Sequence, residues 1–344
     1  MKEFKCLLVM DGLDEWADPL KKTVLPVLLP CYSKCTVLTT TRHWKMTDER
    51  MKDSQIDCLL ELEGVNDPHQ FSKQILSCII KEELESNHHE FVEYVKTNNL
   101  NEFYFTPVLL ASLVVSWLNG MHIRGSRCEV YISLLDCLLK KSSISSDCFV
   151  SPPAYCFSET RYVCHNIELV HALSEIAFTQ LFTFKKENLL VFTEKEEAIL
   201  KPEQKTLALK TGILSERKSS TLTGISTLSF IHKSVQELLA AFHIARHNFV
   251  IEAVIEKYFD TFPDAYLDLS QVFIFLCGLN IKAANDLSRV IDQHTDMTDI
   301  NVLPSCRYSR IQDLMTKGYT EGRANNHKDD DIRLNLSNLE VLDR

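Results

Sequence analysis

The sequence contains little glycine, and this scarcity restricts the nucleotide chemistry that it can support. Only 9 of the 344 residues are glycine, and the pattern G-x-x-x-x-G-K-[ST] occurs nowhere in the chain. In P-loop proteins that pattern forms the loop whose backbone N–H groups surround the phosphates of a nucleotide. A nucleotide site within this chain would therefore lack the usual phosphate-binding loop.

Basic charge and long apolar runs are also scarce. The 37 Lys and Arg residues are outnumbered by 47 Asp and Glu residues, which gives a formal net charge of −10. An acidic chain has no general attraction to phosphate backbones or to anionic lipids, so we predict neither nucleic acid nor a membrane as a partner. The longest apolar stretch, residues 108–118, is too short to span a bilayer.

The 12 cysteines show no spacing that assigns them a role. No C-x-x-C pair indicates a structural zinc site, and the apolar run before Asp11 is too short for the secretory signal that would favour disulfides. We therefore predict a cytoplasmic protein whose cysteines are reduced and act as small core residues. A zinc site that includes Cys164 and His165 is the alternative.

Composition and apolar patterning predict a globular chain that changes character near residue 65. Hydrophobic residues make up 45% of the chain and charged residues 24%, and its length predicts two to three domains. Short apolar or β-branched runs at residues 4–10, 35–40 and 56–62 predict strands, with a helix at residues 19–29. Strand, crossover helix and strand are typical of a three-layer α/β sheet.

Helical patterns dominate after residue 65. Asp67 and Pro68 form an N-cap and first-turn pair that opens a helix ending near residue 84. A connector rich in Ser, Cys and Pro at residues 142–158 indicates a domain boundary. Further helices are predicted at residues 90–97, 107–118, 129–140, 167–184, 201–210 and 234–247, with a short strand at 227–231 and four more helices between 249 and 317. The remaining residues, 319–344, predict a polar tail or the start of a leucine-rich repeat.

Three carboxylates, Asp11, Asp14 and Glu15, follow the first predicted strand within five residues. The carboxyl ends of strands are where open α/β sheets bind their ligands, and clustered acid at such an edge is typical of a Mg²⁺ site near phosphates. Asp11 would then hold Mg²⁺, and Asp14 and Glu15 would polarise an attacking water. The alternative is a surface turn, because Asp-Gly is a common turn dipeptide.

The second predicted strand ends in Thr39-Thr-Thr41-Arg42. An arginine at the neighbouring strand end would place a cation where it could contact a γ-phosphate. The alternative for Arg42 is an ion pair with Asp11 or Asp14.

His232 lies just before a strongly patterned helix. The sequence Ser234-Val-Gln-Glu237 is a capping box, which predicts that the helix begins near residue 234. Exposed N–H groups and the helix dipole favour an anion at that end, and a histidine there can donate to phosphate. The alternative is a packing residue with no ligand.

Four segments, in order along the chain, resemble the NACHT-type signalling ATPases, the family that includes the NOD-like receptors. Leu7-Leu-Val-Met-Asp11-Gly-Leu-Asp-Glu15 resembles the Walker B segment of that family, and Val37-Leu-Thr-Thr-Thr-Arg42 its sensor strand. Phe105-Thr-Pro107-Val-Leu-Leu110 is similar to the helical-domain motif, and the segment from Leu228 to Ala241 to that of the winged helix. The resemblance covers residues 1–300.

The resemblance implies a fold that is mixed α/β and then mainly α, with ATP or ADP and Mg²⁺ as cofactors. Asp11 would hold the metal, Asp14 and Glu15 would be catalytic, Arg42 would contact the γ-phosphate, Pro107 would pack on the adenine and His232 would touch the ADP β-phosphate. The domains would be a partial P-loop NTPase sheet at residues 1–65, a helical domain at 66–145, a winged helix at 146–248, a second helical domain at 249–318 and the tail.

The phosphate loop that the family requires would lie upstream of residue 1, so we expect a truncated module with little ATPase activity of its own. Its partners would be other signalling proteins, with homo-oligomerisation in the full-length context and an innate-immune role. The alternative is a nucleotide-independent helical interaction module, or an incomplete gene model.

Overall fold

The computed structural model describes residues 6–11, 13, 35–41, 56–62, 64–80, 83–98, 100–121, 123–142, 149–183, 192, 194–218, 226–262, 266, 269–297 and 304–337. The predicted helix at residues 19–29 lies outside this set. The chain divides into two compact units, the first formed by residues 1–62 and 183–189 and the second by residues 63–182 and 190–344.

The first unit contains two parallel strands, β1 (Leu7–Met10) and β2 (Thr36–Thr39), at the positions of the first two predicted runs. Leu7 lies opposite Thr36 and Met10 opposite Thr39, so both strands end at the same edge. The third predicted strand is wrong, because residues 56–62 form neither strand nor helix and their leucines are exposed. An apolar run becomes a strand only where a neighbour satisfies its backbone groups, and no described strand pairs with this one.

The second unit is mainly helical. Its helices are α1 (Pro68–Ile79), α2 (Leu84–Thr97), α3 (Pro107–Leu118), α4 (Arg127–Leu139), α5 (Tyr162–His165), α6 (Ile167–Leu181), α7 (Glu194–Glu197), α8 (Pro202–Thr211), α9 (Lys233–Arg246), α10 (Glu256–Thr261), α11 (Ser270–Leu279), α12 (Ile281–Met297) and α13 (Pro304–Ala324). An antiparallel hairpin of β3 (Leu214–Lys218) and β4 (Ser226–Phe230) lies between α8 and α9 in the chain.

No single helix in the described residues is long and apolar enough to cross a membrane. Only α9 taken together with residues 251–261 has the length and composition of a membrane span among the described residues, and this pair is bent by 119°.

Proline and apolar patterning located α3 at its predicted bounds, whereas the first helical hairpin was predicted less well. The helix that opens at Pro68 ends at Ile79 rather than near residue 84. Glu83 then takes a left-handed conformation with a φ of 54°, and α2 begins at Leu84 rather than at 90. Neither glycine nor proline marks this break, so the pattern continues across it.

The predicted boundary between residues 318 and 319 falls inside α13 and is therefore wrong. Gly318 and Gly322 lie within this helix and allow close helix packing. A Cβ atom on Gly318 would lie 2.8 Å from the Cys277 sulfur, and one on Gly322 would lie 3.2 Å from Ile332 Cδ1. Glycine here permits a close approach of α13 to α11.

After α13 the chain forms a 3-10 turn at Asp329–Asp331, and residues 332–337 then run along α12 as an extended segment. The backbone N–H groups of Arg333, Asn335 and Ser337 donate to Asn285 Oδ1 at 2.9 Å, Ser288 Oγ at 2.9 Å and Asp292 Oδ1 at 2.8 Å. The three acceptors are spaced along one face of the helix, while the alternate residues of the extended segment pack against the core. The described part of the predicted tail is thus an ordered part of this unit.

Glu321 of α13 is a buried carboxylate that caps the N-terminus of α4. It is 3% exposed. One oxygen accepts from Ser126 Oγ at 2.7 Å, Cys128 N at 2.9 Å and Asn325 Nδ2 at 3.0 Å, and the other accepts from Arg127 N at 2.9 Å. The positive end of the helix dipole adds to these bonds. One side chain therefore links two segments nearly two hundred positions apart in the sequence.

We predict that Glu321→Gln lowers the free energy of unfolding by about 2–4 kcal/mol. The amide nitrogen would replace an acceptor with a donor, and it would face a backbone N–H or the Ser126 hydroxyl. Denaturant unfolding followed by circular dichroism measures the change. The matched control is Asp313→Asn on the same helix, where an exposed ion pair with Lys317 is lost; this change should cost less than about 0.5 kcal/mol. Equal losses in the two variants would contradict the proposed role of Glu321.

Candidate functional site

Asp11 and Thr40 lie side by side at the carboxyl edge of the parallel strand pair. Each residue directly follows its strand, and the Thr40 N–H donates to the carbonyl of Met10 at 3.0 Å. The Thr40 hydroxyl donates to Asp11 Oδ1. The Asp11 carboxylate is exposed. The predicted edge therefore presents a carboxylate held in place by a hydroxyl from the next strand.

Leu13 contacts the end of β2. Leu13 is buried, and its N–H donates to the Thr40 carbonyl at 2.9 Å. This geometry is compatible both with a ligand-binding edge and with the Asp-Gly surface turn that was the alternative. The other residues predicted for this edge, Asp14, Glu15 and Arg42, lie outside the described residues.

The donors at this edge are of the type that Mg²⁺ prefers. Asp11 supplies carboxylate oxygens and Thr40 a hydroxyl oxygen, and hard oxygen donors are the usual ligands of this ion. The hydroxyl of the next residue, Thr41, is buried and has no hydrogen-bond partner among the described residues. Within that part of the chain no group of three or more His, Cys, Asp or Glu side chains could hold a metal ion. The chemistry of the donors fits Mg²⁺, although only Asp11 of the three predicted carboxylates is described.

His232 is the N-cap of α9, and this corrects the predicted capping box. Its Nδ1 accepts from the Ser234 N–H at 3.1 Å, and the helix begins at Lys233. The capping box predicted Ser234 as the cap and a start one residue later. The ring nitrogen reaches the second N–H of the helix and takes the place of the serine hydroxyl.

The cap determines which ring nitrogen of His232 could face an anion. Because Nδ1 accepts a hydrogen bond, the neutral ring carries its proton on Nε2, and an anion would have to bind there. The side chain is exposed. His232 therefore combines a structural role as a cap with a donor at the N-terminus of a long helix.

Tyr131 of α4 is buried, and burial raises the pKa of its phenol. The Tyr131 ring packs edge-on against Phe275 of α11, with 5.3 Å between centroids.

Pro107 occupies the first turn of α3 and is exposed. Phe105, two residues before it, is 59% exposed. The backbone of this segment is held by residues 64 and 65: the Val65 N–H donates to the Phe105 carbonyl at 3.1 Å. A Cβ atom on Gly64 would lie 2.5 Å from that carbonyl oxygen, and its φ of 92° also favours glycine. Pro107 thus satisfies the helix-start role, and an apolar surface lies beside it.

The described cysteines are free thiols, as predicted, but only some of them are core residues. Cys128, Cys156 and Cys277 are buried, whereas Cys6, Cys58 and Cys78 are exposed. The zinc alternative at Cys164 and His165 gains no support, since no metal-binding group was found among the described residues.

The geometry brings together Asp11 and Thr40 in the first unit, and it gives His232 and Pro107 defined positions in the second. Thr40 was not singled out from the sequence; its position directly after β2, matching Asp11 after β1, is the signal that could have identified it. No protein-family model matches the chain, and no curated protein matches it in sequence. The resemblance to NACHT-type ATPases therefore depends on the four segments alone.

We predict that His232→Ala lowers the free energy of unfolding by about 1 kcal/mol, because the Ser234 N–H loses its acceptor. His232→Asn should retain most of the stability, since asparagine is a favourable N-cap. Denaturant unfolding of both variants and of the parent chain provides the comparison. If the asparagine and alanine variants lose the same stability, the ring nitrogen is not the group that caps α9.

Proposed function

We propose that this chain is part of a NACHT-type, nucleotide-dependent signalling switch whose oligomerisation is regulated by ATP and ADP. In this proposal the first unit contributes the Walker B and sensor strands of a P-loop NTPase sheet. The second contributes a helical domain, a winged helix formed by the β3–β4 hairpin and its flanking helices, and a second helical domain.

The observation that carries the proposal is the contact between Asp11 and Thr40. Two parallel strands end in register, one in a carboxylate and the other in hydroxyl groups, and the two are hydrogen-bonded. Ligands bind at such an edge in open α/β sheets. Asp11 would hold Mg²⁺, and Arg42 would contact the γ-phosphate of ATP. When bound, the ion would neutralise charge on the phosphates, and Asp14 and Glu15 would orient the attacking water.

In this proposal, residues of the second unit would contact bound ADP. The Nε2 atom of His232 would donate to the β-phosphate of ADP, with the dipole of α9 adding to the attraction. Pro107 and the exposed Phe105 would supply apolar contact to the adenine. Loss of the β-phosphate contact on exchange for ATP would release the winged helix, which is a two-state element biased by a ligand.

We expect little ATPase activity from this chain alone. The phosphate-loop pattern, with its lysine, does not occur in the sequence. Positioning and charge neutralisation by that loop supply much of the rate in phosphoryl transfer. Nucleotide affinity should accordingly be weaker than micromolar.

The alternative function is a helical interaction module that needs no nucleotide, and the mainly helical character of the second unit favours it. The transcript upstream of the Met1 codon distinguishes the two. A phosphate-loop sequence in frame with this chain supports the switch, and a start codon with no such sequence before it supports the interaction module.

We predict that ADP shifts the ring resonances of His232 in a two-dimensional NMR spectrum of the histidine-labelled chain. NMR detects weak binding, so the expected low affinity does not prevent the measurement. His89 and His165 are also exposed and serve as internal controls for non-specific anion binding. AMP, which lacks the β-phosphate, should shift His232 much less than ADP does. Equal shifts of the three histidines, or equal shifts with AMP and ADP, would contradict the proposal.

A further inference from the structure

Two adjoining cavities lie beside α4 in the second unit. The smaller has a volume of about 130 Å³ and the larger of about 400 Å³. Both are lined by residues of α4 and by residues of the segment 155–162. Met121, Ser158 and Glu159 line both cavities, so the two form one groove. The side chains of Arg124 and Glu159 are about half exposed and therefore lie at its mouth.

The smaller cavity contains a buried carboxylate with one oxygen left for a ligand. Glu129, in the first turn of α4, is 9% exposed and lines this cavity. Its Oε2 atom accepts from the Arg124 backbone N–H at 2.7 Å, and no described residue donates a hydrogen bond to its Oε1 atom. The N–H groups of Arg127 and Cys128 at the start of α4 are bound by Glu321 instead. A buried carboxylate oxygen of this kind is stabilised by a ligand that brings a donor and a positive charge.

Arg124 is the cation among the described residues that line the smaller cavity, and it already has partners. Its Nη2 atom lies 3.3 Å from Glu159 Oε1. Its guanidinium group lies over the Tyr155 ring, 5.3 Å from the centroid. The side chain of Arg124 thus pairs with Glu159 rather than with Glu129. A primary ammonium group would supply Glu129 with the missing charge and with up to three donors.

The larger cavity presents a cation that suits an anionic group. Lys140, directly after α4, lines this cavity, and its Nζ atom donates to the neutral Asn119 side chain at 3.0 Å. Asp136 also lines the cavity, but its Oδ1 atom accepts from the backbone N–H groups of Arg161 at 3.1 Å and Val163 at 2.8 Å. Asp136 is therefore held by the backbone, and Lys140 forms no ion pair with a described residue.

We propose that this groove binds a short peptide of three residues with free ends, its ammonium group on Glu129 and its carboxylate on Lys140. These two residues are eleven positions apart in the sequence, and a rise of about 1.5 Å per residue separates them by about 16 Å along the helix. Three extended residues span about 10 Å. An ion-pair contact of about 3 Å at each end of the peptide accounts for the rest.

The smaller cavity also limits the first residue of the peptide. An apolar cavity of about 150 Å³ holds a molecule of the size of benzene. The cavity beside Glu129, at about 130 Å³, is smaller than that. It therefore admits an amino group with a methyl side chain and excludes the indole of a tryptophan.

The ionisation of Glu129 makes the binding depend on pH. Burial raises the pKa of Glu129 to about 6; the hydrogen bond and the charge of Arg124 oppose this rise, and the carboxylates of Glu321 and Glu159 add to it. The peptide ammonium pairs with the ionised carboxylate, so affinity is retained above the pKa and lost as the pH falls through it. The amino group of the peptide stays protonated at neutral pH, so we expect affinity to fall about tenfold from pH 7 to pH 5.

Equilibrium dialysis of the 344-residue chain with labelled trialanine at neutral pH tests the proposal. We expect saturable binding to one site. N-acetyl-trialanine lacks the ammonium group and trialanine amide lacks the carboxylate, so each should bind about tenfold more weakly. The peptide Trp-Ala-Ala should not displace trialanine, because its first side chain exceeds the smaller cavity.

Variants locate the two ends of the peptide. Glu129→Gln keeps an acceptor for the Arg124 N–H and removes the charge, so it should weaken binding about tenfold and abolish its pH dependence. Lys140→Gln should weaken binding by a similar factor, and because Lys140 is exposed this change leaves the fold intact. Glu175→Gln is the matched control, since Glu175 is exposed on α6 of the same unit, and this variant should bind trialanine like the parent chain.

Three results would overturn the proposal. One is an absence of saturable trialanine binding at millimolar concentration. Another is binding of N-acetyl-trialanine as tightly as trialanine. The third is binding by Glu129→Gln and Lys140→Gln that equals binding by Glu175→Gln. These measurements contain no nucleotide, so their outcome is independent of the proposed nucleotide switch.

Discussion

The buried carboxylate of Glu321 is the interaction on which the packing of the helical unit depends. A buried charge is tolerated only when its oxygens are fully hydrogen-bonded, and the donors come from the start of α4 and from Asn325. Gly278 of α11 fits beneath this group, since a Cβ atom there would lie 2.6 Å from Asn325 Nδ2 and 2.7 Å from the Cys128 sulfur. Three helices must therefore keep one arrangement.

Local chemistry made part of this fold predictable. Pro107 followed by an apolar run defined α3 at both ends, and β-branched runs defined β1 and β2. The errors arose where distant contacts decide the structure. The predicted end of the helices at residue 317 was wrong, because the packing of Gly318 against α11 cannot be seen in the sequence. Residues 56–62 contain an apolar run, yet no strand in the described part of the chain pairs with them.

The candidate site was predictable to a similar extent. Asp11 was identified as a carboxylate at the end of an apolar strand. Because β1 and β2 end in register, Asp11 lies beside Thr40. His232 was predicted near a helix N-terminus, but its role as the cap itself depends on a ring rotamer that no sequence pattern specifies.

Equilibrium dialysis with labelled nucleotide tests the central claim, that this chain belongs to a nucleotide switch, most directly. We predict saturable binding of ADP that is weaker than micromolar, strengthened by Mg²⁺ and reduced in Asp11→Asn while Asp313→Asn binds like the parent chain. The Mg²⁺ dependence follows from a carboxylate placed beside the phosphates. An absence of saturable ADP binding at millimolar concentration, or binding that Asp11→Asn leaves unchanged, would contradict it.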